Sequence, residues 1–180
     1  MFGKNTFDFS KTLNPHPSDP ADLAPISAKI SRNHDSIICE YILPANEAYI
    51  ESPNQENLWE GSCLELFLKY GERYWEWNVS LSGKTQLYCF DGWRNRIGKH
   101  GKQANGIHHF NHNGSTYSFT LRLSPALPML HSIFQHSTHS IECKMACILV
   151  TSSWKGHWTN QHPIGAPNFH SSNGFQKLVL

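Results

Sequence analysis

Two runs of this chain alternate apolar and polar positions strongly: Cys63-Leu64-Glu65-Leu66-Phe67-Leu68 and Tyr74-Trp75-Glu76-Trp77-Asn78-Val79. Between them lies a turn signal at Gly71-Glu72, so the pair reads as a β-hairpin. Successive side chains of a strand point to opposite faces. Leu64, Leu66 and Leu68 therefore share one face with Trp75, Trp77 and Val79, and that face belongs in a core. The other face carries Glu65, Phe67, Tyr74, Glu76 and Asn78. A two-residue turn pairs Glu65 with Asn78 and Phe67 with Glu76, with opposed side chains about 5 Å apart. Two readings of this mixed face stand side by side: the solvated side of an antiparallel sheet, or a binding surface for something polar with apolar edges.

Other segments carry the same period. Ile26 to Ser31, Ser36 to Leu43, Thr85 to Phe90, Thr116 to Leu123, Ile141 to Thr151 and Phe175 to Leu180 all read as strands. Pro15, Pro17 and Pro20 make the start an extended arm, residues 1–25, laid on the domain. Residues 44–57 and 95–106 read as loops, Ser124 to Leu130 as a short helical turn, and the stretch from Ser152 to Asn173 as a long loop of aromatics and histidines. Eight or nine short strands, little helix and no repeat predict an all-β sandwich in a single domain, residues 1–180.

Composition narrows the partners. The net charge is +1 with histidine neutral, which supplies no basic field for nucleic acid or an anionic bilayer. The longest apolar run, Met145 to Val150, is far short of a membrane span. The N-terminus has no continuous apolar stretch of the secretory kind. Five cysteines without Cys-x-x-Cys spacing fall in or beside strand-like segments and are expected to be free thiols, which suits the cytoplasm. Twelve histidines make the charge sensitive to pH near 6. Their spacing, including His108, His109 and His112, matches no zinc motif, and no nucleophile elbow is present.

Several spaced segments together resemble the DOMON-like family related to type 9 carbohydrate-binding modules. They are Leu13-Asn14-Pro15-His16-Pro17, Leu58-Trp59, Cys63 to Leu68, Tyr74 to Ser80, Phe90-Asp91-Gly92-Trp93-Arg94, and Trp158-Thr159-Asn160-Gln161-His162-Pro163 with Pro167-Asn168-Phe169-His170. The likeness runs from about residue 13 to the end. It implies a jelly-roll β-sandwich and non-catalytic sugar binding, with structural calcium in some members and haem on axial His or Met in others. Met129 and Met145 are the methionines such a haem could use, and Met145 alternates into an apolar strand.

Carried onto this chain, the matching polar residues are Glu65, Glu76, Asn78 and Arg94, with Trp158, His162 and His170 from the closing element. Tyr74, Trp93 and Trp158 are the expected ring faces for a sugar, since pyranose C–H faces stack on aromatics while hydroxyls seek carboxylate, amide and guanidinium partners. Arg94 is expected near Glu76 or Glu65. The chain has Asn168 where the family often has Asp, and Asn78-Val79-Ser80-Leu81 where it often has Asn-x-Ser-Pro. The expectation is a carbohydrate-binding module without catalysis. The alternative is a structural or protein-interaction domain using the same face, since Trp, Tyr and Arg also dominate protein hot spots.

Overall fold

The computed structural model describes residues 8–33, 36–45, 47–100, 107–122 and 141–178. Among them, strands dominate and the helical content is one 3-10 turn, Leu58–Glu60. The strands are β1 Asp8–Pro15, β2 Ile26–Asn33, β3 Ser36–Ile42, β4 Cys63–Tyr70, β5 Arg73–Ser80 and β6 Thr85–Asp91. They continue as β7 Arg96–His100, β8 Ile107–Asn113, β9 Thr116–Arg122, β10 Ile141–Val150, β11 Lys155–Thr159 and β12 Gln176–Leu178. All twelve join one curled antiparallel sheet in the order β7-β6-β5-β4-β10-β11-β1-β2-β3-β9-β8, with β12 paired to β10 off this path.

The hairpin has the predicted register: Glu65 faces Asn78, Phe67 faces Glu76, and Gly71 turns the chain at φ 61°. That positive φ suits glycine, which has no Cβ to clash. Leu64, Leu66, Leu68, Trp75 and Trp77 all face the main core, Trp77 fully buried. Ile30, Ile37, Cys39, Phe119 and Leu121 from the other end of the sheet enter the same core. The Tyr41 hydroxyl crosses it to donate to the Glu65 carbonyl at 2.7 Å. Each fully buried large apolar side chain contributes about 1.5–3 kcal/mol of transfer free energy, so this face supplies the main stabilisation. All five cysteines are buried and free, and Met145 packs in the core.

Three expectations change. The strands exceed eight or nine. The arm over residues 1–25 is in part a strand: β1 pairs with β2 through six residues and with β11 at Asn14 and Pro15, joining the two ends of the sheet into one. The expected loops over 95–106 and 152–173 contain β7 and β11. These strands, Arg-Ile-Gly-Lys-His and Lys-Gly-His-Trp-Thr, lack a full apolar alternation and owe their conformation to pairing with β6 and β10. Ser124 to Leu130, with Met129, lies outside the described residues, as do the side chains of His108 and His109.

Candidate functional site

The mixed face of β4, β5, β6 and β10 is not solvated. The chain after β11 folds back over it, and Phe67, Tyr74, Tyr88, Phe90, Ala146, Ile148 and Phe169 form a second apolar cluster there. Lys144, on β10, fixes this cover. Its ammonium nitrogen is buried and donates to the carbonyls of Ser171 and Asn173, both at 2.7 Å, and lies 4.6 Å from the Phe175 ring centre. Burial lowers the Lys144 pKa to about 7. Asn160 adds a bond from Nδ2 to the Gly174 carbonyl at 2.8 Å.

Beneath the cover a cavity of about 690 Å³ remains. Glu65 and Glu76 line it from neighbouring strands, yet both are almost fully buried. Asn78 Nδ2 donates to Glu76 Oε1 at 2.8 Å. Among the described residues the Glu65 carboxyl has no hydrogen-bond donor. Burial raises both acids, and the Glu76 charge pushes Glu65 further up. Glu76 rises to about 7, with Asn78, Arg94 and Arg96 opposing the rise.

His170 stands over Glu76. Its ring meets Phe67 and Phe90 edge-on, and its Nδ1 lies 2.9 Å from the Tyr74 hydroxyl. That hydroxyl also accepts the Arg94 backbone N–H at 3.1 Å, so it ties the His170 ring to the Arg94 turn. Nε2 lies 3.7 Å from Glu76 Oε2. Burial, with Arg94 and Lys144 nearby, lowers His170 to about 4. Near pH 6 the histidine is neutral and the acid mostly protonated, so this contact is not an ion pair.

Arg94 reaches the cavity from a tight turn. Asp91 N–H donates to the Asn95 carbonyl at 2.9 Å, and Gly92 N–H to the Glu72 carbonyl at 3.0 Å. Arg94 itself has φ 55°, in the left-handed region. Its Nη2 donates to Asn168 Oδ1 at 3.2 Å, and the same oxygen accepts the His170 backbone N–H at 3.1 Å. The guanidinium shares the cavity with Glu65 and Glu76, as expected, but its side-chain hydrogen bond goes to Asn168 and no ion pair with either acid forms.

The structure brings Glu65, Glu76, Arg94 and His170 to one cavity. Asn78 and Tyr74 stand behind them, Asn78 positioning Glu76 and Tyr74 stacked on Phe90 with centroids 4.5 Å apart. Tyr74 therefore offers no free ring face. Trp93 is exposed and carries Arg94 over its ring at 5.5 Å.

Two residues go elsewhere. Trp158 lies on the inner side of β11, fully buried in the main core, with its indole N–H on the Ala24 carbonyl at 3.0 Å. Gly156 makes room for it, since a Cβ there would sit 2.5 Å from the indole. His162 Nε2 contacts the Asn14 carbonyl at 2.9 Å, and its ring packs on His16, outside the cavity wall.

The remaining wall was not singled out from the sequence. Tyr88 and Phe90 share the outward parity of Glu76 through the β5–β6 pairing, so alternation alone could have found them. Ile148, facing His157 across β10 and β11, follows similarly from Lys144. Arg96, Lys155 and His157 sit on the strands that sequence reasoning read as loops. His157 Nδ1 lies 3.1 Å from Asp19 Oδ1, which fixes the ring. Trp59 reaches the rim from the 3-10 turn, half exposed. The adjacent Gly61 allows that turn to press on residue 52, where a Cβ would lie 2.0 Å from the backbone nitrogen. Among the described residues no three His, Cys, Asp or Glu side chains converge as a metal ion would require.

No family model matches the chain. No curated protein matches it either. Among solved structures, a crystal structure from Bacteroides uniformis ATCC 8492, described as a "putative carbohydrate-binding protein", superposes with a TM-score of 0.60 at 15% identity, covering 94% of this chain and 84% of that one. At that identity the likeness establishes a shared all-β fold.

Proposed function

We propose that this chain is a non-catalytic carbohydrate-binding module, with the ligand seated in the cavity between the sheet and the Lys144-tethered cover. The observation that carries this reading is the pair of buried carboxyls, Glu65 and Glu76, facing a cavity large enough for a ligand. Asn78 donates to Glu76, while the Glu65 carboxyl opens onto the cavity and takes no hydrogen bond from the protein among the described residues. Sugar hydroxyls supply donors to such acids, and the aromatic rings of Trp59, Tyr88 and Phe169 in the lining suit C–H faces. The fold of the Bacteroides uniformis protein and the resemblance to DOMON-like, jelly-roll sugar-binding modules support the same reading. Cavities of about 300–1,000 Å³ are the usual size for small ligands.

Calorimetric titration against a panel of mono- and disaccharides tests it. Binding should appear in the wild type and vanish in Glu76→Ala, whose fold should survive, since Glu76 is paired with Asn78 and not with a cation. The protein-interaction reading draws on the exposed Trp93 and Ile164. It gains if no sugar binds and Glu76→Ala melts like the wild type.

A further inference from the structure

The cavity is flanked by cations at both ends. Arg94 and Arg96 line it on the β6–β7 side, and Lys155 lines it from β11. In the sheet order β6, β5, β4 and β10 lie between β7 and β11, with Glu65 and Glu76 in the middle. Five strand spacings separate β7 from β11, about 24 Å along the curled sheet. Among the described residues none of the three cations has a carboxylate within ion-pair distance. Arg96 lies over the Tyr88 ring at 5.4 Å and Arg94 bonds only a neutral amide. With a chain charge of +1, this is a local concentration of positive charge.

The backbone at Arg94 adds an independent observation. It is the one non-glycine residue with positive φ among the described residues. A left-handed conformation disfavours a long side chain and favours Gly or Asn. Strain of this kind concentrates at functional positions. A guanidinium there enters the cavity with a planar fork that suits a carboxylate or sulfate. Asn168 orients it through Oδ1 without neutralising it, where a carboxylate in the same place would.

Resting on the carbohydrate reading, we propose that the ligand is an anionic oligosaccharide of at least two units, its negative groups at Arg94 and Arg96 and at Lys155. Neutral hydroxyls lie over Glu65 and Glu76. Burial raises the pKa of both carboxyls, Glu76 to about 7, which lessens their repulsion of such a ligand.

The test compares uronic-acid disaccharides with their carboxyl-reduced counterparts, and sulfated disaccharides with their desulfated forms, by calorimetry. The wild type should bind the anionic member of a pair about tenfold or more tightly, an advantage that shrinks as salt is raised. Asn168→Asp keeps both hydrogen bonds at Oδ1 and pairs with Arg94. It and Arg96→Gln should each weaken anionic binding about tenfold, well beyond any effect on the neutral member. Preference for the sulfated over the uronic series would identify sulfate as the anionic group and uphold the class. Equal or better binding of the neutral forms overturns the anionic inference while the sugar reading stands. No binding of any saccharide overturns both.

Discussion

The two faces of the β4–β5 hairpin are built from alternate residues of the same sixteen, yet they follow opposite physical rules. The inner face, with Leu64, Leu66, Leu68, Trp75 and Trp77, is apolar except for Arg73 at the turn and packs against the far end of the sheet. The outer face is nearly as buried, but it encloses Glu65, Glu76 and Asn78 beside Phe67 and Tyr74. Asn78 Oδ1 is buried without a partner, and the Glu65 carboxyl faces the cavity. Burial on the inner face stabilises the protein directly. Burial on the outer face costs stability at each unsatisfied group. Keeping such a face covered, rather than open to water, is what a preformed site requires and a structural sheet does not.

The largest effect in this comparison should come from the inner face. Trp77→Ala removes a fully buried indole from the main core and should lower stability by about 3–5 kcal/mol in urea unfolding. A loss as small as that of an exposed tryptophan, such as Trp93→Ala, would break the assignment of the two faces.

The outer face should announce itself through pH. Glu76 has a folded pKa of about 7, above its ordinary value, so the folded state holds the extra proton and gains stability as pH falls from 7 to 4.5. Glu65 is raised and acts in the same direction. His170, lowered to about 4, does the reverse: its folded form resists the proton, and stability is lost as pH falls from 6.5 toward 4. His162, lowered by burial, adds to that loss. Between pH 4.5 and 6.5 the carboxyls and the histidines therefore oppose one another, and the wild-type profile shows only the difference between the two sets. Glu76→Gln removes one side and should lose about 2–3 kcal/mol more than the wild type over this interval, read by thermal or urea unfolding at several pH values. Parallel profiles for the two proteins would mean that Glu76 is not held protonated.

The cover tests the comparison from outside the face. Lys144→Met keeps a long unbranched side chain but removes the ammonium from over the Phe67 and Phe175 rings and strands the Ser171 and Asn173 carbonyls. Stability should fall by about 1–3 kcal/mol. Amide exchange should quicken over residues 167–175 and stay slow in β4 and β5, and saccharide binding should weaken with it. Faster exchange throughout the sheet would show that Lys144 supports the core rather than the cover.

What could be read from the sequence follows the same division. The inner face was legible because an unbroken apolar alternation leaves one register open to it, and Gly71 marks the turn. Half of the site followed from parity, since Glu65 and Glu76 must share the other side. Arg96, Lys155 and His157 were hidden because β7 and β11 carry no two-faced pattern; their partners impose the extended conformation. Trp158 was misplaced for the same reason. Once a segment is read as loop, its residues have no parity, and an indole beside Pro163 and His162 passes for a rim residue. The pairing Cys147↔Trp158 puts it on the inner face at once.

The smallest effect separates strain from stability at one position. Arg94→Gly keeps the backbone N–H that donates to the Tyr74 hydroxyl and relieves the side chain's clash at φ 55°. The only hydrogen bond lost from the side chain is the exposed one to Asn168 at 3.2 Å, which is worth little. Relief of the left-handed residue is worth about 1–2 kcal/mol, glycine's greater freedom in the unfolded chain offsets about 0.5–1 kcal/mol of it, and the bond lost is worth less than about 1 kcal/mol, so the variant should melt close to the wild-type temperature. The turn from Asp91 to Asn95 should keep its amide protection. An arginine that can be replaced by glycine without loss of stability is not there for the fold, and its guanidinium faces the cavity. A clear drop in melting temperature would instead make Arg94 a structural clasp between the turn and the cover, and the outer face would lose its strongest claim to differ in purpose from the inner one.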